Sequence, residues 1–340
     1  MTKILVTGGL GFIGSHTVVE LQNRGYEVVI IDNLSNTTIE VLDNITAITG
    51  IPPVFVNIDL RNYKEVHSFF NEHTIDGVIH FAAYKAVGES VSKPLSYYQN
   101  NLNSLVYLLQ ELTNRNIGNF IFSSSCTVYG QADELPITEK APVKPAESPY
   151  GYSKQAGEII IRDTCKVFDF KAIALRYFNP IGAHPSIKIG ELPLGVPQNL
   201  IPYITQTAAG IRKELSVFGN DYPTEDGTAI RDYIHVVDLA KAHIAALHRL
   251  IENKNKANFE VFNVGTGKGT SVLEVIKAFE KTTKKSLNYK FVGRREGDIT
   301  AAYADTTIAN KELHWKTEIS LETALESAWH WQQAQQNLKK

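Results

Sequence analysis

The chain has 340 residues, 43% of them hydrophobic and 21% charged, with a formal net charge of −2. That length suits two unequal domains, and the composition is that of a globular protein able to bury roughly 75% of its unfolded surface. The near-neutral balance offers no basic excess for nucleic acid, and no stretch approaches the ~18 apolar residues of a membrane span. Two cysteines, Cys126 and Cys165, are far apart and lack CxxC or zinc spacing. This fits a reducing, cytoplasmic compartment. The apolar run that follows Met1 is too short for a secretory signal.

Short apolar runs alternate with helical patterns through the first half. Strands are expected at Lys3 to Thr7, Val28 to Ile31, Val54 to Asn57, Gly77 to His80, Phe120 to Ser123 and Ala172 to Leu175. Their Val, Ile and Phe content suits strands buried on both faces. Amphipathic stretches lie between them at Ile13 to Arg24, Tyr63 to Glu72 and Leu95 to Thr113. Such alternation predicts an α/β fold, a Rossmann-type doubly wound parallel sheet with helices on both faces. The second half is loop-rich at Asn179 to Pro202 and Gly219 to Arg231. A helix is expected at Val236 to Arg249, a strand at Glu260 to Val264, and helices at Ser271 to Glu280 and Leu321 to Gln335. The organisation read from this is a dinucleotide-binding domain over residues 1–180 and a smaller α/β substrate-binding domain over 181–340. The boundary near Pro180 is approximate, and the chain is allowed to cross between the two.

The segment Thr7-Gly8-Gly9-Leu10-Gly11-Phe12-Ile13-Gly14 follows the first strand and opens a helix. Gly8, Gly11 and Gly14 permit a tight turn and close approach of backbone to a pyrophosphate, which then faces the free N–H groups of the helix N-terminus. A glycine triplet is weak evidence alone. Asp32, however, ends the second strand close to the ~20-residue spacing expected of the acid that binds the adenosine ribose. A carboxylate there disfavours the 2′-phosphate of NADP, so the cofactor is expected to be NAD. Asp59, closing the third strand, falls near the adenine on the same logic.

Tyr150-Gly151-Tyr152-Ser153-Lys154 holds a Tyr-x-x-x-Lys pair at the start of a helical pattern. Spacing i, i+4 puts Tyr150 and Lys154 on one face, whereas Tyr152 points elsewhere. A free tyrosine has a pKa of about 10, and a nearby ammonium favours its phenolate, so the pair can act as a general acid/base. Ser123-Ser124-Ser125 ends an apolar strand upstream, where strand C-termini line the ligand crevice. One of these hydroxyls can orient a substrate hydroxyl; the sequence pattern does not select which. The ten histidines suggest no metal site, and His80, His235 and His243 read as packed side chains.

These motifs, with Arg176-Tyr177-Phe178-Asn179-Pro180, resemble the extended short-chain dehydrogenase/reductase family, and most closely its UDP-glucose 4-epimerase group. The segment from His80 to Ser90, the loop from Gly219 to Thr228, Arg231 to His235 and Gly293 to Asp298 carry that closer resemblance, which runs from Lys3 to about Trp331. The resemblance implies Tyr150 as base, Ser125 as the catalytic serine, and Lys154 as the residue that binds the nicotinamide ribose and tunes Tyr150. It implies NAD contacts from Phe12, Ile13, Asp32, Asn33, Leu34, Ser35, Asn36, Thr37, Asp59, Leu60, Phe81, Ala82, Ala83, Tyr84, Lys85, Asn100 and Phe178. Asn179, Asn199, Arg231, Arg295 and Asp298 would hold a UDP moiety, with Ser216, Val217 and Phe218 around the uracil. Arginines suit two phosphates because the guanidinium binds them bidentately; the competing use of Arg231 and Arg295 is salt bridging with the adjacent Asp232 and Glu296.

The reaction implied is C4 epimerisation of UDP-glucose and UDP-galactose through a 4-keto sugar, with NAD regenerated each cycle, in a homodimer joined through helices around Leu102 to Leu112 and Tyr152 to Cys165. The sequence departs from the common pattern at Ala83-Tyr84, where Gly-Leu is frequent, and at Ala302. In some relatives a bulky residue at the latter position borders the hexose, so Ala302 implies room for 2-acetamido sugars as well. Two other functions compete. A nucleotide-sugar 4,6-dehydratase would carry an Asp-Glu pair after its active-site serine, where this chain has Cys126-Thr127. A non-catalytic NAD-binding protein would tolerate loss of Tyr150 or Lys154, and both are present.

Overall fold

A computed structural model describes residues 2–295 and 297–337. The chain runs β1 (Lys3–Thr7), α1 (Phe12–Asn23), β2 (Glu27–Ile31), α2 (Glu40–Thr49), β3 (Val54–Val56), α3 (Tyr63–Glu72), β4 (Gly77–His80), α4 (Val87–Ser92), α5 (Pro94–Tyr98), α6 (Ser104–Asn114), β5 (Asn119–Ser123), α7 (Pro149–Val167) and β6 (Lys171–Tyr177). There follow β7 (Asn179–Ile181), α8 (Leu200–Ala208), β8 (Leu215–Phe218), β9 (Ile230–Arg231), β10 (Tyr233–His235), α9 (Val236–Ile251), β11 (Phe259–Val264), β12 (Thr270–Ser271), α10 (Val272–Thr283), β13 (Tyr289–Val292), β14 (Ala301–Ala302), α11 (Thr307–Glu312) and α12 (Leu321–Asn337).

Seven parallel strands form one sheet in the order β11-β6-β5-β4-β1-β2-β3. The order reverses between β1 and β4, the switch point at which doubly wound sheets open a crevice beyond the strand C-termini. Central strands such as Ile4-Leu5-Val6 and Val78-Ile79 are fully buried because helices cover both faces. One layer packs Val18, Val19 and Leu21 of α1 against Leu239, Leu247 and Leu250 of α9. The other packs Val66 and Phe69 of α3 with Leu105 and Leu108 of α6 and Ile161 of α7. The seventh strand, β11, and the covering helix α9 come from beyond residue 180. The remaining chain builds small sheets, β10-β7, β12-β9-β14 and β13-β8, around a core that includes Ile204, Val217, Ile276, Phe279 and Trp329.

Several elements differ from the sequence expectation, which has no helix at Val87–Ser92, Leu200–Ala208 or Thr307–Glu312. The stretch anticipated as one helix from Leu95 to Thr113 is broken by a π-helical turn over Gln99–Asn103. The wider turn swings Asn101 inward, where its amide donates to the Tyr84 carbonyl (3.0 Å) and to Ser153 Oγ (3.0 Å) and accepts from Tyr84 N (2.8 Å). Those bonds offset the loss of the regular helical ladder. Helix α2 has no counterpart in the reading above. Val41, Leu42, Ile45 and Ile48 are spaced for a helix, and Gly50 at φ +74° ends it as a left-handed cap, but the β-branched content obscured the pattern.

Candidate active site

The loop between β1 and α1 sits at the switch point with no room for side chains. A Cβ on Gly8, which is at φ +67°, would lie 2.8 Å from the Ala82 amide nitrogen, and one on Gly14 would lie 2.2 Å from the Gly8 carbonyl oxygen. Glycine is therefore required where the loops after β1 and β4 meet. No side chain caps α1 at Gly11, which leaves its first N–H groups facing a cleft of about 1230 Å³. Asp32 at the end of β2 is buried. It accepts from Leu10 N (3.2 Å) and Leu34 N (3.0 Å); burial raises its pKa, and these amide bonds oppose the rise. Leu34 takes a left-handed φ of 56° to make that contact. Asp59 is gripped by Arg61, chiefly through side-chain hydrogen bonds that pull its carboxyl down to about 2. This loop, free helix end and carboxylate fit an adenine dinucleotide.

The cleft brings together Gly8, Gly11, Phe12, Ile13, Gly14, Asp32, Asn33, Ser35, Asn36, Thr37, Asp59, Leu60, Phe81 to Lys85, Asn100, Tyr150 and Lys154, and also Asn199. Leu34, Ser125 and Phe178 are not on its wall. Phe178 packs instead in a separate buried cluster with Val128, Tyr129, Ile137, Ala302 and Ala304. Sequence reasoning missed Tyr177 and the Lys188 to Leu194 strap, both of which line the cleft. The alternation along β6 could have found Tyr177; the strap has no periodic signal.

At the inner end of the cleft, α7 starts with Pro149 behind the Ser148 cap, whose Oγ accepts from Gly151 N (3.1 Å). Tyr150 and Lys154 share the buried face of this helix. The Lys154 ammonium donates to the Ser123 carbonyl (2.6 Å) and stands 5.9 Å from the Tyr150 ring centre. Burial pulls Lys154 down to about 8, with Glu158 opposing. Burial also pushes the Tyr150 phenol upward, with a further push from Tyr177 and a downward pull from its hydrogen bond with Ser125. The protein groups alone therefore hold Tyr150 protonated, a different balance from the lowered pKa expected of the pair by itself. A positive charge in the cleft would oppose that rise.

Geometry separates the three serines that the sequence left equivalent. Ser123 Oγ bonds the Tyr177 hydroxyl (2.6 Å), and Ser124 Oγ donates to Glu158 (2.6 Å) inside the protein. Ser125 caps the turn over Cys126–Tyr129, accepting from Thr127 N (3.2 Å), and its hydroxyl neighbours that of Tyr150. His80 is buried, bonded to Thr7 Oγ1 (2.7 Å) and held neutral, at about 3, first by burial and then by the Lys154 charge. His235 Nδ1 accepts from Val237 N, and His243 Nδ1 contacts the Leu239 carbonyl. Among the described residues no group of three or more His, Cys, Asp or Glu side chains is arranged to hold a metal.

The remaining site residues lie on the smaller sheets, apart from Asn199, at the N-terminus of α8, and Arg295 and Asp298, in the loop between β13 and β14. Arg231 pairs with Asp298, and Arg295 lies 3.5 Å from the same carboxylate, with its guanidinium 5.9 Å from the Phe218 ring centre. Arg231 thus does not use its neighbour Asp232. That carboxylate is fully buried and accepts from Thr266 N, Thr266 Oγ1, Gly267 N and Ala304 N. Glu296 lies outside the described residues. Val217 faces the core while Ser216 and Phe218 face outward, so only the backbone of Val217 can face a ligand. Asn179 donates its N–H to the Asp232 carbonyl (2.9 Å). Asn199, at the N-terminus of α8, makes no side-chain cap and instead donates to Glu191 (2.6 Å), which also accepts from Lys85 (3.1 Å). Ala302 is buried in the cluster that holds Phe178 and against which Cys126 packs.

A switch-point dinucleotide cleft that ends on tyrosine and lysine, with a serine beside the tyrosine, defines a short-chain dehydrogenase/reductase of the extended type. A family model described as GDP-mannose 4,6 dehydratase matches residues 5–328. A UDP-glucose 4-epimerase of Haemophilus influenzae is 51% identical, covering 97% of each chain, and one of Bacillus subtilis is 50% identical over 98% of each. Among solved structures, a UDP-glucose 4-epimerase from Stenotrophomonas maltophila with bound NAD and formylated UDP-arabinopyranose matches with a TM-score of 0.96 and 45% identity, covering 99% of this chain and 100% of that one. A UDP-glucose 4-epimerase from Bifidobacterium longum in complex with NAD+ and UDP matches with a TM-score of 0.94 and 48% identity, over 99% of both. The chain belongs to the UDP-glucose 4-epimerase family.

Proposed function

We propose that the protein interconverts UDP-glucose and UDP-galactose with NAD as its cofactor. The observation that carries this reading is the Tyr150–Lys154 pair at the inner end of a dinucleotide cleft, with the Ser125 hydroxyl beside the phenol just off the cleft wall. Bound there, NAD would supply the hydride acceptor and the positive charge that favours the phenolate. Tyr150 takes the proton from the sugar 4-hydroxyl and later returns it; Ser125 orients that hydroxyl; Lys154 holds the nicotinamide ribose and stabilises the phenolate. Arg231 and Arg295 bind the diphosphate, and Asp298 presents both guanidiniums. Asn179 and Asn199 hold the rest of the UDP moiety beside Ser216 to Phe218. The 4,6-dehydratase alternative lacks its carboxylates, since Cys126 and Thr127 follow Ser125. Incubation with UDP-galactose followed by chromatographic separation of UDP-glucose tests the proposal; no conversion would defeat it.

The cofactor reading makes its own prediction. Asp32, buried and anionic, repels a 2′-phosphate, so protein denatured after purification should release NAD or NADH. Mainly NADP in the supernatant would overturn the role of Asp32.

The pocket reading makes another. Ala302 belongs to the buried cluster against which Cys126, one residue beyond Ser125, packs, and Tyr303 turns the other way, onto Gly269. The small side chain supports acceptance of UDP-GlcNAc and UDP-GalNAc beside the plain hexoses. Ala302→Tyr should suppress turnover of the acetamido sugars and spare that of UDP-galactose. A wild type that converts UDP-galactose but not UDP-GalNAc would leave Ala302 as a packing residue only.

The protein is taken to act in the cytoplasm as a homodimer. No helix among the described residues is long and apolar enough to cross a membrane. The outward face of α7 leaves Tyr152 and Ile159 exposed, an apolar surface suited to a second copy.

A further inference from the structure

Behind the Tyr150–Lys154 face lies a buried ion pair that lines no part of the cleft. Glu158 stands one helical turn beyond Lys154 and two beyond Tyr150, on the same face of α7. Its carboxylate accepts from Arg176 Nε (2.9 Å), Arg176 Nη2 (2.5 Å) and Ser124 Oγ (2.6 Å). Both partners of the pair are under 10% exposed, and the guanidinium lies 4.8 Å from the Tyr129 ring centre. Tyr129 in turn donates to Asn263 Oδ1 (2.7 Å). A buried pair is a poor source of stability, because an apolar packing of the same volume is often as good or better. Its place beside the Tyr150–Lys154 face points to another use.

We propose that Glu158 is a positioning residue for the epimerisation: it ties the Ser123–Ser125 strand end to the face of α7 that carries Tyr150 and Lys154, and it supplies the anionic field in which the Lys154 ammonium stands. The inference rests on the proposed function and adds to it a residue outside the cleft. The first half follows from the bond to Ser124, the residue directly before Ser125. The second half follows from what surrounds Lys154 Nζ. From β5 it meets the Ser123 carbonyl and, at 5.0 Å, the Phe122 ring. From β4 it faces His80, which is neutral. From β6 comes Tyr177, bonded to Ser123, and from its own helix Tyr150 and Glu158. Arg176 is held by the same carboxylate. Among these groups Glu158 is the anion, and it is the group that opposes the desolvation of Lys154.

The sign follows. Lys154 must be charged to stabilise the phenolate, so activity falls as pH rises through its pKa. Removing the Glu158 charge lowers that pKa and brings the alkaline limb to lower pH. Glu158→Gln tests this, and because it strips Arg176 of its partner inside the protein, the neutral double variant E158Q/R176Q is measured beside it. Two readouts are taken on the whole protein: the pH profile of UDP-galactose epimerisation, and the pH titration of the Lys154 Cε resonance in protein with isotopically labelled lysine, assigned by its loss in Lys154→Met. Both variants should move the Lys154 midpoint and the alkaline limb down by about one pH unit. Ser124→Ala, which keeps the charge, should reduce kcat without moving either. A midpoint and limb that stay at the wild-type position in both Glu158 variants, whatever their melting temperatures, would reduce the pair to a structural element and overturn the proposal. A wild type that fails to convert UDP-galactose defeats the functional reading instead, and the Cε titration alone then decides whether Glu158 sets the charge of Lys154.

Discussion

Tyr150→Phe should leave the fold and the NAD content intact and reduce epimerisation by about 10²- to 10⁴-fold or more. The ring is buried against its helix and strand neighbours, so Phe fills the same volume, and the only atom lost is the hydroxyl beside Ser125. Lys154→Met should be similarly damaging and should shift the pH optimum upward. Without the ammonium 5.9 Å from the ring, the phenol, already pushed up by burial, needs a higher pH to ionise. Steady-state rates across pH, with cofactor content measured on the same preparations, check both. Near-normal turnover by Tyr150→Phe would remove Tyr150 from the mechanism.

Gly14→Ala is expected to act on a different quantity, the cofactor and the sheet that frames it. The new methyl would meet backbone on two sides, 2.2 Å from the Gly8 carbonyl oxygen and 2.9 Å from Gly9 Cα. Neither neighbour can rotate away, so α1 must lift from the loop. Overpacking of this kind typically costs 1–3 kcal/mol, roughly. An equal loss of binding free energy weakens NAD binding by about 5- to 150-fold. Thermal unfolding and the amount of cofactor retained after purification report the two effects. Gly293→Ala is the control, since a Cβ there meets nothing within 4 Å. Equal behaviour of the two variants would mean that the loop has slack that its geometry denies.

The repeating strands and the glycine loop were legible because their signals are local. Lys3 to Thr7 and Tyr63 to Glu72 form their elements between the expected ends, and buried parallel strands announce themselves by unbroken apolar runs. The choice among Ser123, Ser124 and Ser125 was not legible from pattern. It depends on partners at Tyr177, Glu158 and Tyr150, all distant in sequence. The same holds for Arg231. Adjacency suggested Asp232 as its partner, but Asp232 turns into the core to collect amide donors from the segments at Thr266 and Ala304, and Arg231 reaches across to Asp298. The π turn at Gln99–Asn103 was equally hidden, since a helical pattern carries no mark of where a buried asparagine will widen it.

The order in which the chain leaves the ribosome gives the seventh strand a further meaning. When residues 1–180 have emerged, β6 still presents an open edge, and the apolar layer of α1 and β1 has no α9 over it. Those groups are covered only once Val236–Ile251 and Phe259–Val264 have been added. The nascent sheet must therefore wait through the synthesis of the intervening α8, β8 and surrounding loops with that surface uncovered. Premature termination anywhere in this interval leaves a sheet able to recruit foreign strands at its edge.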